Sequence, residues 1–270
     1  MPALTAVQMA LHWLSLLLSV ILLVRLFEQR LHRTYKWFFL LWLIDTARTL
    51  VLLQVPQMTN RYTEIFFGTM PLLWVLYFLV LREMLEKVMA DHRGIASAAA
   101  QAMYVALGSA VVISVALAWP ELGSRESAKY NMLMSMFIMH RVVMATLLLL
   151  LLALGGFLLW FPVRLRRNVV SYSLGFLIYF FGMAVLLLIH NVLAARLSLW
   201  LSTAHLVVAN LVIGYWILTL NRAGETLAAT VGGRWNREQA EEAVRQLEAI
   251  NNALGRANRK LELPKESTTV

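Results

Sequence analysis

The chain contains no cysteine. Disulfides, thiolate metal sites, covalent haem c attachment and palmitoylation are therefore excluded. Charge is also scarce. Asp, Glu, Lys and Arg make up 14% of the residues, against about 25% in a typical soluble domain. With 60% of residues hydrophobic, too little polar surface exists to cover a water-facing globule, and an integral membrane protein is expected. The N-terminal stretch MPALTAVQMALHWLSLLLSVILLVRLF has no basic start and no small-residue cleavage site. Its apolar run is longer than that of a signal peptide, so a retained membrane anchor is expected. There is no convincing internal repeat of the kind that marks many transporters. The net charge of +9 is spread between apolar runs rather than gathered in one patch, which excludes a nucleic-acid surface.

Seven apolar segments each approach the roughly 20 residues a spanning helix needs. They are Ala6–Leu26, Trp37–Val55, Tyr62–Leu81, Ile95–Trp119, Met132–Val163, Val169–Leu193 and Leu199–Leu220. The expected fold is an all-α seven-transmembrane-helix bundle over residues 1–222. The fifth segment exceeds one bilayer thickness, so it must tilt or protrude. Pro71 lies inside the third and predicts a kink, which membrane helices tolerate. Lys and Arg collect on one set of connections: Arg25, Arg30, Arg33 and Lys36, then Arg82, Lys87 and Arg93, then Arg164, Arg166 and Arg167, and the tail. Opposite them stand Arg61, Arg125, Lys129 and Arg196. The positive-inside rule then predicts an inner (plasma) membrane protein with its N-terminus outside and its C-terminus cytoplasmic. Trp119 and Trp200 mark the outer interface, Trp37 and Trp160 the inner one.

Small residues recur in two spans. Ala98, Ala102, Ala106 and Ala110 repeat every four residues in the fourth, and Gly175 and Gly182 lie seven apart in the sixth. Both patterns predict close helix packing, within the bundle or between two copies.

After Leu220 the chain turns polar. Residues 223–235, with Gly224, Gly232 and Gly233, read as a linker. Residues 236–261 read as an amphipathic helix capped by Asn236 with Gln239 as its capping-box partner, and 262–270 as a flexible tail. Ala240, Ala243, Leu247, Ile250, Leu254, Ala257 and Leu261 fall at alternating spacings of three and four, the a and d positions of three heptads. A solvated helix, a short dimeric coil and a membrane-surface helix all fit, though balanced charge argues against the last. The stretch EAVRQLEAINNALGRANRKLE resembles the helical signalling linkers that join membrane input regions to output domains in bacterial sensor proteins. That resemblance implies an input module, with no output domain within these residues, acting through a homodimer or a cytoplasmic partner at residues 240–261.

Polar residues inside the spans carry the functional expectation. An Asp or Arg at a span centre costs about 2.5–3.5 kcal/mol on insertion scales. At 1.5 Å per residue, Asp45 lies roughly 12 Å from the inner end of its span and Arg48 about 10 Å from the outer end. Three residues apart, they share a face and can pair. Either the pair locks the bundle, or Arg48 has charge to spare for an anionic ligand. His12, His190 and His205, with His140 and Arg141, fall in the same outer layer on four different spans. The expected function is a membrane sensor or signal relay that binds a small or lipidic ligand, anions included, in an outer-leaflet pocket formed by Arg48, His12, His140, Arg141, His190 and His205. Paired histidines holding haem b or a metal ion give a redox alternative, and transport gives another. No HxxxH or HExxH occurs, and no lysine lies between Leu199 and Leu220 to form a retinal Schiff base. No nucleophile–base pair or phosphate loop is present, which leaves no candidate catalytic residue.

Overall fold

The computed structural model describes residues 2–56, 59–89, 97, 99–106, 108–109, 112, 116, 128–160, 163–193, 198–231 and 237–262. These are almost entirely helical. In chain order they form α1 (Pro2–Glu28), α2 (Leu31–Thr34), α3 (Lys36–Gln54), α4 (Asn60–Val88), α5 (Ala128–Trp160), α6 (Arg167–Leu193), α7 (Ser198–Thr219) and α8 (Arg237–Glu262). Five of them, α1, α3, α4, α6 and α7, are long and apolar enough to cross a membrane. In α5 the apolar stretch Val142–Gly156 is shorter. The fourth apolar segment is described in part and is helical over 99–106.

α1, α3, α4, α5, α6 and α7 close into a ring. α1 packs on α3 and α7, α7 on α6, α6 on α5, α5 on α4, and α4 on α3, with α4 also touching α6. Large apolar side chains cover the outside: Leu211 is 68% exposed and Leu218 78%. Such a surface requires lipid rather than water around it. Residues 99–106 flank α4. Tyr104 stacks 5.3 Å from Phe78, its hydroxyl accepts a 2.9 Å bond from Arg82, and Met103 is buried. Of the alanine stripe, Ala102 is exposed and Ala106 half-buried, and the neighbouring Gly108 and Ser109 are exposed. Ala98 and Ala110 lie outside the described residues.

α4 begins at Thr59, whose hydroxyl accepts from the Tyr62 amide at 3.3 Å, and runs as one helix through Pro71. α1 and α3 are joined by a tight turn in which Arg30 adopts a left-handed conformation, φ 58°. The ring is filled by an aromatic cluster around Phe38, which has no exposed surface. Its ring lies 4.9 Å from Tyr172, 5.8 Å from Phe176 and 5.0 Å from Trp216, all edge-on. Edge-to-face geometry at these separations adds attraction beyond area burial. Gly175 makes the cluster possible: the Trp216 indole occupies the space where a Cβ would stand. Gly182 likewise faces Val208 on α7. Both glycines therefore serve packing within the bundle.

Of the stretch expected to be a linker, 223–235, residues 223–231 are described and carry regular structure. A 3-10 turn spans Arg222–Glu225, and Ala228–Val231 (β2) pairs antiparallel with Val163–Arg166 (β1). The Arg167 amide donates to Leu227 O at 2.9 Å. Two short segments separated by more than sixty residues of sequence thus satisfy each other's backbone groups. In α8, Leu247 is buried and Leu254 packs against the common core, while Ile250 is 45% exposed. Part of the heptad seam is therefore covered by the chain itself.

Gly175→Ala should lower the melting temperature in detergent, by about 1–3 kcal/mol of stability as overpacking does. Gly214, with open space around its Cα, should tolerate alanine or gain up to about 1 kcal/mol of helix propensity. Equal behaviour of the two variants would refute the packing role assigned to Gly175.

Candidate functional site

A cavity of about 540 Å³ lies inside the ring, in the half that holds the N-terminal part of α1 and the C-terminal part of α3. It reaches from Trp42 and Ile213 in mid-bundle to Gln54, Val55 and Pro56 at the end. His12 enters from α1, Asp45 and Arg48 from α3, His140 from α5 and His205 from α7. His12, Arg48, His140 and His205, picked out from sequence for a shared layer, line one space together with Asp45, expected as the partner of Arg48. The side chains of His190 and Arg141 lie outside the described residues.

The helical period places these groups. On α3, Trp42, Asp45, Thr49 and Leu52 recur at spacings of three and four and present one face to the cavity. Arg48 shares that face. Its Nη1 lies 3.6 Å from Asp45 Oδ1, too long for a good hydrogen bond. The remainder of the guanidinium is better held. Nε donates to Thr69 Oγ1 at 2.8 Å, Nη2 to Phe66 O at 3.3 Å, and the Phe66 ring lies 4.5 Å beneath it. Thr69 passes its own proton back to Ile65 O at 2.7 Å. Arg48 is thus anchored to α4, and Asp45 is its weaker partner.

Asp45 is the less satisfied member. Its side chain keeps 30% of its surface accessible, against 10% for Arg48, yet helices surround it on every side. That accessible surface faces the cavity. Among the described residues its carboxylate has Arg48 alone as an ion-pair partner. Trp42, 9% exposed, has an indole N–H with no acceptor. A buried donor without an acceptor costs about 1–3 kcal/mol, so a bound group that accepts from it would recover that loss.

The histidines differ in what they have spent. His140 Nδ1 accepts from Trp74 Nε1 at 2.9 Å, which fixes the tautomer with hydrogen on Nε2. His12 and His205 line the cavity from α1 and α7, adjacent helices. Those helices are held together by Gln8 donating to Thr203 at 3.1 Å and by Asn210 donating to Leu11 O at 3.2 Å. Tyr77 and Tyr179 close the α4–α6 side, their hydroxyls 3.1 Å apart. Among the described residues no three His, Asp or Glu side chains are grouped as a metal site would require.

A second set of polar residues, at the opposite end of the ring, was not singled out by sequence. Glu83, 7% exposed, accepts from the amides of Lys36 at 2.8 Å and Phe38 at 3.4 Å. A carboxylate there satisfies the free N–H groups at the start of α3 and the positive end of its dipole. Glu225 accepts from the Tyr35 hydroxyl at 2.7 Å, from Asn168 Nδ2 at 2.7 Å and from Arg166 at 3.1 Å. Burial, and then the bond to Glu225, push the Tyr35 hydroxyl well above its usual range, so it remains a donor at any working pH. Asn168, fully buried, also donates to Asn221 O at 2.7 Å and occupies the space where a Gly224 Cβ would stand. The sequence signal was a Glu two residues past the apolar run Tyr62–Leu81 of α4, and an Asn-x-x-Gly turn after α7.

No protein-family model matches this chain, and no curated protein or solved structure is significantly similar to it.

Arg48→Met should destabilise the bundle by about 3 kcal/mol or more, since it strands a buried carboxylate. Asp45→Asn should cost less, because its only ion-pair contact is long and Arg48 keeps its bonds to α4. Thermal unfolding in detergent measures both, and the opposite ranking would show that the ion pair carries the site.

Proposed function

We propose that the chain is a seven-span membrane sensor or signal-relay protein of the bacterial type, with the N-terminus outside and the C-terminus cytoplasmic, that binds a small or lipidic ligand in the cavity between its helices. The observation that carries this reading is the convergence of ionisable side chains from four helices on one interior space, with Asp45 accessible to it and the Trp42 N–H unspent. Charged groups in a membrane interior are costly unless paired or used. Arg33, Lys36, Lys87 and Arg166, clustered at the other end, support the orientation by the positive-inside rule.

The charges also constrain the ligand. Asp45 and Arg48 cancel, so an anionic group would have to displace the carboxylate from Arg48. A zwitterion or a neutral amphiphile with both donor and acceptor groups satisfies Asp45, Arg48 and Trp42 together. The lining is otherwise apolar and aromatic, as ligand pockets are.

A relay path is supported by α3. Trp42 lines the cavity, Phe38 lies one turn below it at 6.4 Å between ring centres, and Tyr35 follows with its bond to Glu225. Glu225 lies on the segment that leads to β2 and α8. Haem or metal chemistry is less favoured, because a hydrogen held on His140 Nε2 by the Trp74 bond blocks that nitrogen as a ligand. Transport is supported by one observation: a second cavity reaches the opposite end of the ring, with the aromatic cluster between the two.

A thermal-shift screen of amino acids, small carboxylates and lysophospholipids on the full chain in detergent tests the binding. A ligand of this cavity should lose at least about tenfold in affinity in Trp42→Phe and in Arg48→Gln, as loss of a buried hydrogen bond to a charged group implies. Tyr35→Phe should leave that affinity intact while abolishing ligand-dependent hydrogen-exchange changes in 222–231. Absence of any stabilising compound, or hits indifferent to both cavity variants, would sink the proposal. Robust counter-flow of a hit compound in liposomes would replace sensing by transport.

A further inference from the structure

The second cavity, about 560 Å³, lies among the start of α3, the end of α4 and β1. It is lined by four cations, Arg33, Lys36, Lys87 and Arg166, and three carboxylates, Glu83, Glu86 and Glu225. Two of the carboxylates, Glu83 and Glu225, have both oxygens occupied. Both Glu83 oxygens accept from α3 amides. Glu225 Oε1 is taken by Tyr35 and Asn168, and Oε2 by Arg166. Glu86 Oε1 accepts from Arg82 at 2.8 Å. Among the described residues no carboxylate lies within ion-pair distance of Arg33, Lys36 or Lys87. Lys87 is half-buried, with its ammonium 5.0 Å above the Tyr35 ring. Its charge acts on Glu83 only from beyond ion-pair distance. Thr34 adds a hydroxyl, and Trp37, 39% exposed, lines the rim.

We propose that this cavity is a phosphate site in which Arg33, Lys36 and Lys87 hold either the headgroup of an anionic phospholipid or free phosphate. The argument is one of unspent donors. Three cations line a space large enough for a phosphate and part of its substituent, and Glu83 and Glu225 have both oxygens occupied. Phosphate offers the several acceptor oxygens that a set of Arg and Lys donors matches. Trp37 stands where an indole marks the membrane interface, the level at which a lipid headgroup sits. The site does not depend on any ligand in the first cavity.

The test uses the full chain in nanodiscs. Native mass spectrometry reads retention of phosphatidylglycerol against phosphatidylcholine, and calorimetry reads inorganic phosphate binding in phosphatidylcholine discs. Arg33→Gln combined with Lys36→Gln should weaken binding of the responding probe by about tenfold or more, as loss of two charge-assisted bonds implies. Arg33→Lys should retain most of it. Arg245→Gln, which removes one exposed charge paired with Glu242 on α8, should leave it unchanged. Retention of phosphatidylglycerol alone identifies the lipid headgroup as the source, and a phosphate isotherm identifies the free ion. If the double variant melts early, the single Arg33→Gln variant carries the same test with a smaller loss. Binding of neither probe overturns the proposal, as does a loss in Arg245→Gln equal to that in Arg33→Gln, which would reduce the effect to general surface charge.

Discussion

The edge-on packing of Phe38 against Tyr172, Phe176 and Trp216 is the contact on which the rest of the bundle depends. It joins α3, α6 and α7 across the ring, where no backbone hydrogen bond can act. In lipid, helices gain little from burying apolar surface against one another, and association rests on close packing and interhelical polar contacts. Rings of this size supply that packing, provided one backbone yields. Gly175 yields: its missing side chain is the space the Trp216 indole fills. The cluster therefore sets the spacing of three helices at once. It also separates the two cavities as a floor, touching Trp42 of the first and Tyr35 of the second.

Polar groups on the two sides of this floor are treated differently. Towards the N-terminal end of α4 and the C-terminal end of α3, Asp45 has one long ion-pair contact and Trp42 an unspent N–H. Towards the other end, Glu83 and Glu225 have each carboxylate oxygen occupied at hydrogen-bond distance. Saturated groups hold a structure in place, because nothing is gained by moving them. Unsaturated ones leave free energy to be recovered by a ligand. Both ends contain buried carboxylates, yet only the first is open to recognition by its acid. At the second, Glu83 and Glu225 are architectural, and Arg33 and Lys36 have no ion-pair partner among the described residues.

Much of the fold was legible because lipid imposes length and composition on each helix separately. The apolar runs around α1, α3, α4, α6 and α7 are local features, and five helices of spanning character follow from them. The shared face of Asp45 and Arg48 follows from their spacing, and the common depth of His12, His140 and His205 from helix rise. Helix rotation was not legible, since each span is apolar on all sides and gives no preferred inward face. The alanine stripe of the fourth segment could therefore not be assigned a direction: of its described members Ala102 is exposed and Ala106 half-buried. The β1–β2 ribbon and the Asn168–Glu225 network depend on residues more than fifty positions apart, and no periodicity encodes such a meeting. Gly224 read as a sign of flexibility. Its lack of a side chain instead admits Asn168.

The proposed relay rests on how stiff α3 is between its two functional ends. Trp42, Phe38 and Tyr35 follow one another at helical spacing on a helix whose start is fixed by Glu83. A ligand that accepts from the Trp42 indole must reorient or shift that ring, and the ring is in edge contact with Trp216 at 5.7 Å as well as with Phe38. Close-packed interiors respond to such a change by moving between discrete arrangements rather than by deforming smoothly. The amides at the start of α3 are held at hydrogen-bond length by a buried carboxylate, so rotation there would break charge-assisted bonds. Tyr35 is the part of that end with freedom to respond, because its hydroxyl meets Glu225 on a separate segment. A change at the cavity floor would then reach the Arg222–Glu225 turn as a made or broken hydrogen bond. The chain would need no movement of whole helices to carry it.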